Sequence, residues 1–248
     1  MNCEESMYLK DLLDTWDRLG KEDPLWAMLA HPDKKGNKWK IEEFFKNGEI
    51  EIKSIMEHIK TIGINFGKRK ALDFGCGVGR LTQSLVDYFD EVYGVDIAPS
   101  IIQLARKYNR HESKCKYILN QKNDLKIFPD NNFDFIYTTL TLQHMRPTLS
   151  KNYIREFLRT LVPNGLLVFQ LPSGPRNLVK KIIGRIFPSV SLNFYRMFKY
   201  GYRAPWDLYW IDQKVVLDLL EEINAKVIDI QKSEEQGWES IRYFVTKS

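Results

Sequence analysis

Three glycines directly follow a short apolar run in the segment Ala71-Leu-Asp-Phe-Gly-Cys-Gly-Val-Gly-Arg80; they are Gly75, Gly77 and Gly79. Glycine lets the backbone turn tightly and approach a ligand closely. Arg80 stands where a dinucleotide-binding G-x-G-x-x-G sequence has its last glycine, so a pyrophosphate site fits less well. Asp73 would repel a phosphate but attract an ammonium, directly or through water. The pattern therefore favours a ligand with a cationic amino-acid portion.

A second carboxylate ends the next apolar run, Tyr93-Gly-Val-Asp96. A carboxylate at the C-terminal edge of a strand can accept hydrogen bonds from both hydroxyls of a ribose. Each pattern alone also fits a structural turn or an ordinary strand end. In this order the two together indicate a nucleoside-binding site.

Such a site needs a parallel sheet to position it, and the hydrophobic pattern from Lys70 onward predicts one, because apolar runs alternate with helical segments. The predicted strands are 70–74, 91–95, 116–119, 133–138, 165–171, 225–231 and 240–246. The predicted helices between them are about 79–89, 99–109, 148–161 and 212–223. Residues 1–66 are predicted to form an N-terminal helical cap, with a helix at about 41–62, and residues 67–248 the sheet domain. Residues 172–211 fit neither pattern and are interpreted as an insertion after the fifth strand.

With its glycine segment followed by Asp96, the sequence resembles the class I S-adenosylmethionine-dependent methyltransferases. The resemblance is close over residues 69–172 and loose over residues 212–248. Further segments similar to that family are Asn123-Asp124-Leu125, Phe128-Pro-Asp-Asn-Asn-Phe-Asp-Phe-Ile-Tyr137, Leu142-Gln-His144 and Leu161-Val-Pro-Asn-Gly165. The resemblance implies an α/β, Rossmann-like fold. Its seven-stranded sheet is mostly parallel with helices on both faces, the final strand is antiparallel, and the insertion forms a lid.

The resemblance also implies a cofactor, S-adenosyl-L-methionine, and a set of residues that bind it. Gly75, Gly77 and Gly79 are expected to line the methionine portion, Asp73 to lie near its ammonium, and Arg80 to belong to the same donor-binding set. Asp96 is expected to hold the ribose, Ile97 to flank the adenine, and Asp124 and Leu125 to meet its amino group and ring edge. No metal is expected, because the cysteines and histidines show no zinc-ligand spacing, although scattered carboxylates could hold a hard cation.

His144 is the candidate catalytic residue. It follows the fourth strand at the edge where open α/β sheets bind ligands, and imidazole can take a proton from an acceptor hydroxyl. The alternative is that His144 caps or orients a neighbouring loop. Gln143 and Arg146 are candidate polar liners of the same pocket. Thr138-Thr-Leu-Thr141 stands where amino-directed nucleic-acid methyltransferases carry N/D-P-P-(Y/F), which favours a hydroxyl oxygen as acceptor.

The charge distribution points to one localised anionic partner or surface. The 248 residues carry a net charge of +5, and their 44% hydrophobic and 28% charged composition excludes a disordered, collagenous or disulfide-scaffold protein. Between Ser173 and Trp206 stand seven basic residues and no acidic one; without these seven the net charge is −2. The basic residues are Arg176, Lys180, Lys181, Arg185, Arg196, Lys199 and Arg203. This distribution argues against a general nucleic-acid coat.

Within this segment, residues 177–187 read as a short basic amphipathic helix, for which three interpretations stay open. The helix packs as a lid with solvated cations, the cations bind an anionic acceptor such as a phosphorylated or nucleotide-linked sugar, or the helix contacts an anionic membrane surface. The aromatic residues of the cap and the insertion fit core packing or a lid over the methyl group.

The predicted function is methyl transfer from S-adenosylmethionine to a small-molecule or glycan-precursor acceptor, at a hydroxyl oxygen. The alternatives are an RNA-modifying methyltransferase, which only the basic insertion supports, and a non-catalytic protein that binds the donor. A nicotinamide-dependent oxidoreductase is disfavoured by the glycine spacing. Three distant cysteines, an acidic N-terminus and the lack of a long apolar run predict a reduced, cytoplasmic protein.

Overall fold

A mixed β-sheet forms the centre of the molecule in the computed structural model, which describes residues 3–111, 113–175, 206–235 and 238–247. Its seven strands within those residues are β1 (Lys70–Phe74), β2 (Glu91–Asp96), β3 (Cys115–Leu119), β4 (Phe133–Thr138), β5 (Leu161–Pro175), β6 (Ala225–Glu235) and β7 (Trp238–Lys247). Their order is β3-β2-β1-β4-β5-β7-β6. The first five strands pair in parallel, whereas β7 lies antiparallel between β5 and β6. The expected fold and the antiparallel final strand are confirmed.

Helices precede, connect and follow the strands near the predicted positions. They are α1 (Cys3–Glu22), α2 (Pro24–Met28), α3 (Ile41–Thr61), α4 (Arg80–Leu85), α5 (Pro99–Lys107), α6 (Pro147–Thr160) and α7 (Gln213–Glu222), with 3-10 turns at Pro32–Lys34 and Leu142–His144. The helix after the glycines ends earlier than predicted, because the Leu85 carbonyl accepts from the N–H groups of both Tyr88 and Phe89 and the last turn tightens.

Helices cover both faces of the sheet. On one face, Ile52, Ile55 and Ile59 of α3 share a core with Ala71 of β1 and Phe135 of β4. On the other, α6 and α7 pack against side chains such as Leu72 and Leu167, because neighbouring strand residues point to opposite faces. The division of the chain at residue 66 stays a prediction, and the structure adds that α3 packs directly on the sheet.

The fifth strand is longer than predicted and includes the first residues of the predicted insertion. Its last four residues, 172–175, pair with β7 as far as Trp238, with a register shift at Gly174. The strand extends because β7 offers a partner edge along this whole length. The rest of the insertion up to residue 205, with the basic segment 177–187 and all seven basic residues, lies outside the described residues.

Two features are absent from the described residues. No helix there is long and apolar enough to cross a membrane. No group of three or more His, Cys, Asp or Glu side chains there is arranged to hold a metal ion.

Candidate active site

A cavity of about 510 Å³ opens at the carboxyl ends of the parallel strands. Gly75, Asp96 and Thr139, which line it, lie at or just after the ends of β1, β2 and β4. Side chains of α1 and α2, among them Trp16 and Met28, form the opposite wall. The volume suits a small-molecule site, and its position is where doubly wound sheets bind their ligands.

The loop between β1 and α4 depends on its glycines. Their φ angles are +74°, +55° and +92° at Gly75, Gly77 and Gly79, all in the left-handed region. A Cβ atom on Gly75 would lie 2.2 Å from the Thr141 side chain, and one on Gly77 would lie 2.4 Å from Met28 Sδ. These glycines therefore permit both the turn and the close packing of neighbouring elements. Gly75 lines the cavity directly, as do the intervening Cys76 and Val78.

Asp96 lines the cavity beneath this loop. Its Oδ2 accepts a hydrogen bond from the Gly77 N–H at 3.1 Å, and its Oδ1 accepts one from the Ala98 N–H at 3.0 Å. Burial raises the pKa of Asp96, against the effect of these backbone donors. Each carboxylate oxygen retains a further lone pair, so the oriented group can still accept from a vicinal diol.

The structure separates Asp73 from the cavity. Its side chain is 1% exposed, is not among the described residues that line the cavity, and accepts a hydrogen bond from Thr82 Oγ1 at 2.6 Å. Burial raises its pKa to about 7, and the Thr82 hydroxyl opposes that shift. The predicted proximity to the ammonium stays a prediction, but Asp73 lies behind the loop because its strand position faces the core.

Arg80 lines the cavity with its charge already paired. Its guanidinium lies 2.8 Å from Glu51 Oε2 of α3, and Glu51 Oε1 accepts from the Tyr137 hydroxyl at 2.7 Å. Arg80 is thus held between the helical region and the sheet, at the start of α4. Its predicted role in donor binding stays a prediction.

Of the three residues expected around an adenine, Ile97 lines the cavity and the others do not. Leu125 is fully buried, and its N–H donates to Glu156 Oε2 at 2.7 Å. The Asp124 carbonyl accepts from the Asn120 side-chain amide at 2.7 Å, which tethers the loop behind the cavity. Asn120 itself is buried and lines the cavity. Asn120 was not among the predicted site residues, although it directly follows β3 as a polar residue at a strand end.

His144 lines the same cavity from the 3-10 turn after β4. Its Nδ1 lies 3.0 Å from the Asp207 carbonyl oxygen. A carbonyl can only accept, so Nδ1 carries the hydrogen, and Nε2 of the neutral ring is the basic nitrogen. The side-chain nitrogen of Gln143 lies 3.4 Å from Nε2. In this tautomer Nε2 is the nitrogen that can accept a proton, and the ring also contacts a neighbouring loop, so both predicted roles remain compatible with its geometry.

Residues far away in the chain hold this turn. The Tyr209 N–H donates to the Gln143 carbonyl at 2.7 Å, and the Tyr8 hydroxyl lies 3.4 Å from the His144 carbonyl. The Trp16 ring stands edge-on to His144 with 4.9 Å between ring centroids. Gln143 lines the cavity as predicted, whereas Arg146 points elsewhere and stacks on the Tyr8 ring. Tyr8 has no local sequence signal, because its partners lie more than a hundred residues away.

A family model described as a methyltransferase domain matches residues 72–169. The match spans the glycine loop, Asp96 and His144. Residues 72–169 form a methyltransferase domain. The glycine loop, Asp96 and Ile97 of this methyltransferase domain fit S-adenosylmethionine as its cofactor, because they combine a close backbone approach, an acceptor for a diol and an apolar flank at one wall of the cavity.

Relatives of the methyltransferase domain act on different acceptors. The demethylmenaquinone methyltransferase of Tropheryma whipplei (strain Twist) is 31% identical over 125 residues, which are 48% of each chain. The sterol 24-C-methyltransferase of Aspergillus fumigatus is 31% identical over 129 residues, 49% of this chain and 33% of that protein. The chain spans about half or less of the length of such curated relatives. Other relatives are named O- and N-methyltransferases, so similarity does not select the acceptor atom.

Among solved structures, the magnesium protoporphyrin IX methyltransferase of Synechocystis PCC 6803, with S-adenosylhomocysteine bound, superposes with a TM-score of 0.63. The two chains are 16% identical, and the alignment covers 95% of this chain and 98% of the other. At this identity the likeness establishes the fold.

Proposed function

We propose that this protein transfers the methyl group of S-adenosylmethionine to a hydroxyl oxygen of a small-molecule acceptor. One observation carries the proposal: Gly75, Asp96 and the oriented imidazole of His144 line a single cavity. The family match and the donor-site geometry support methyl transfer. The oxygen acceptor rests on His144 and on the neutral Thr138–Thr141 segment.

The bound cofactor supplies a sulfonium methyl that is already activated for transfer. The protein's residues then have to bind the donor, align the acceptor with the methyl and exclude water. The glycine loop and Asp96 hold the donor on the β1–β2 side of the cavity. His144 removes the acceptor proton with Nε2, while the Asp207 carbonyl holds the hydrogen on Nδ1.

Donor binding is tested by calorimetry with S-adenosylhomocysteine. We expect micromolar-range binding to the wild type and at least about tenfold weaker binding to Asp96→Ala, because the substitution removes a charged acceptor. Asp218→Ala is the matched control, since Asp218 is an exposed carboxylate of α7 outside the cavity. Absence of heat with the wild type would refute the proposal.

Turnover is tested with methyl-labelled donor and the small-molecule fraction of a cell extract. We expect His144→Ala to lower incorporation about a hundredfold or more, as for the loss of a general base. His111→Ala, which lies outside the cavity lining, is the control. Equal incorporation by the two variants would remove His144 from the mechanism, and no incorporation by the wild type would favour a non-catalytic donor-binding protein.

The remaining predictions about partners depend on residues 176–205, outside the described part of the chain. They are an anionic acceptor, an anionic membrane surface and the alternative of an RNA substrate. An RNA-bound form would lose affinity steeply with salt in a gel-shift assay, whereas a small-molecule enzyme would show no shift. A cytoplasmic location is part of the proposal and is supported by Cys76 and Cys115, both buried free thiols.

A further inference from the structure

The cavity has two chemically different sides. The donor side, at the ends of β1 to β3, carries Asp96 and Arg80. The other side lies beside β4, β5 and β7 and carries Thr139, Leu140 and Gln170 together with His144. An acceptor has to bind on this second side, because the donor-binding residues occupy the first.

Leu140 has an unusual conformation on the acceptor side. Its φ is +57°, in the left-handed region, and 38% of its surface is exposed although it is an aliphatic residue that lines a cavity. Gln170 Oε1 holds the segment by accepting from the Leu140 N–H at 3.1 Å and from Thr139 Oγ1 at 3.2 Å. A strained backbone conformation that neighbouring groups maintain at a cavity wall indicates a functional position. At Leu140 this conformation directs an apolar side chain to the cavity wall.

The polar groups beside Leu140 are already hydrogen-bonded to one another. Gln170 accepts from Thr139, and its amide nitrogen donates to Ser240 Oγ of β7. These mutual hydrogen bonds leave fewer donors and acceptors for the hydroxyls of a sugar. The wall also offers the aliphatic surface of Leu140 beside them.

Aromatic rings line the cavity beside His144. Trp16 and Trp206 stack with 5.8 Å between ring centroids and 15° between ring planes, and His144 stands edge-on to Trp16. Among the described lining residues, the carboxylate and guanidinium groups belong to Asp96 and Arg80, on the donor side. An anionic group on the acceptor side would lose its hydration without an opposite charge from these walls.

We propose that the reacting end of the acceptor is an uncharged aromatic ring that bears the hydroxyl, bound between Leu140 and the Trp16 side of the cavity. This inference rests on the proposed function. In the transfer, the bond between the acceptor oxygen and the methyl carbon forms as the sulfur–methyl bond breaks, and the electron pair of that bond remains on the sulfur as a thioether. The hydroxyl proton passes to His144 Nε2 and from the imidazolium to water.

The experiment compares matched probes by calorimetry on protein saturated with S-adenosylhomocysteine. The probes are 2-naphthol, 6-hydroxynaphthalene-2-sulfonate and glucose 1-phosphate. We expect 2-naphthol to bind at least about tenfold more tightly than either anion, because burial of an unpaired charge is unfavourable. Equal or tighter binding of an anion, or no binding of 2-naphthol, would overturn the inference.

Two variants test the wall itself. Leu140→Ala and Leu140→Gly should each weaken 2-naphthol binding about tenfold through lost apolar contact, with unchanged affinity for S-adenosylhomocysteine. The glycine variant favours the left-handed conformation and guards against misfolding. Val215→Ala is the control, since Val215 is 42% exposed on α7 outside the cavity lining. If the Leu140 variants weaken 2-naphthol binding no more than Val215→Ala does, the inference is contradicted. If the wild type does not bind S-adenosylhomocysteine, the proposed function is refuted separately.

Discussion

Removal of the Tyr8 hydroxyl tests whether α1 positions His144. The hydroxyl oxygen accepts from the Arg146 N–H at 2.8 Å and donates to the His144 carbonyl at 3.4 Å, and the Arg146 guanidinium lies 4.3 Å from the ring centroid. Burial raises the pKa of Tyr8 well above its usual range, so the hydroxyl keeps its proton at neutral pH. The network joins the first helix to the turn that carries the proposed base.

Tyr8→Phe retains the ring and its contact with Arg146 and removes both hydrogen bonds. A neutral hydrogen bond contributes about 1 kcal/mol net, and the 3.4 Å bond contributes less, so we expect a loss of about 1–1.5 kcal/mol. Because a tenfold rate change corresponds to about 1.4 kcal/mol, a loss that falls wholly on the position of His144 lowers the transfer rate about tenfold.

The assay has three readouts: the transfer rate, the affinity for S-adenosylhomocysteine, and nitrogen NMR of labelled histidine. We expect a lower rate, unchanged affinity, and a weaker Nδ1–H signature for His144. Tyr93→Phe is the matched control, because the Tyr93 hydroxyl donates to Glu91 at 2.8 Å outside the cavity lining. Equal rates for the two variants, or a loss of donor affinity in Tyr8→Phe, would refute the positioning role.

Three further predictions concern the glycine loop and the buried groups behind it. Gly75→Ala should abolish calorimetric binding of S-adenosylhomocysteine, whereas Gly63→Ala, with a similar φ of +71° but nothing within 4 Å, should cost only about 1 kcal/mol of unfolding free energy. The pKa of Asp73 is about 7 in the folded protein, which is above the pKa of an aspartate in an unfolded chain. Between about pH 4 and pH 7 the folded protein therefore keeps a proton that the unfolded chain has released. The stability of the folded protein should fall as the pH rises through this range. Asp73→Asn should flatten that fall in thermal unfolding at several pH values, and an unchanged slope would contradict the assignment. Glu51→Gln should lower the unfolding free energy in denaturant titrations by about 1–3 kcal/mol, because the buried Arg80 loses its carboxylate partner; wild-type stability would show that this pair contributes nothing.

Local patterns were sufficient for the elements and for part of the site. The strands at 70–74 and 133–138 have the predicted bounds, because a buried parallel strand is a mainly apolar run, interrupted here only by Asp73 and Asp134 after the first residue. The position of Asp96 followed in the same way, since a polar residue that ends a central strand must lie at the ligand-binding edge. The glycine loop was equally predictable, because its backbone conformation depends on residue type.

Burial of individual side chains was less predictable. The predicted donor contacts of Asp73 and Leu125 stay predictions, but both side chains are buried and neither is among the described residues that line the cavity, because the face on which a strand or loop residue lies depends on what packs against it. The start of the insertion was equally unpredictable, because residues 172–175 extend β5 by pairing with β7.

The sequence alone determined the alternation of strands and helices and the glycine loop, since hydrophobic periodicity and glycine conformation are local properties. Only the tertiary structure decided the acceptor side of the cavity. Leu140 is held by Gln170 from a neighbouring strand, and the turn of His144 is held by Tyr8, 136 residues earlier in the chain. Such contacts form between residues that the fold brings together, so no spacing along the chain encodes them.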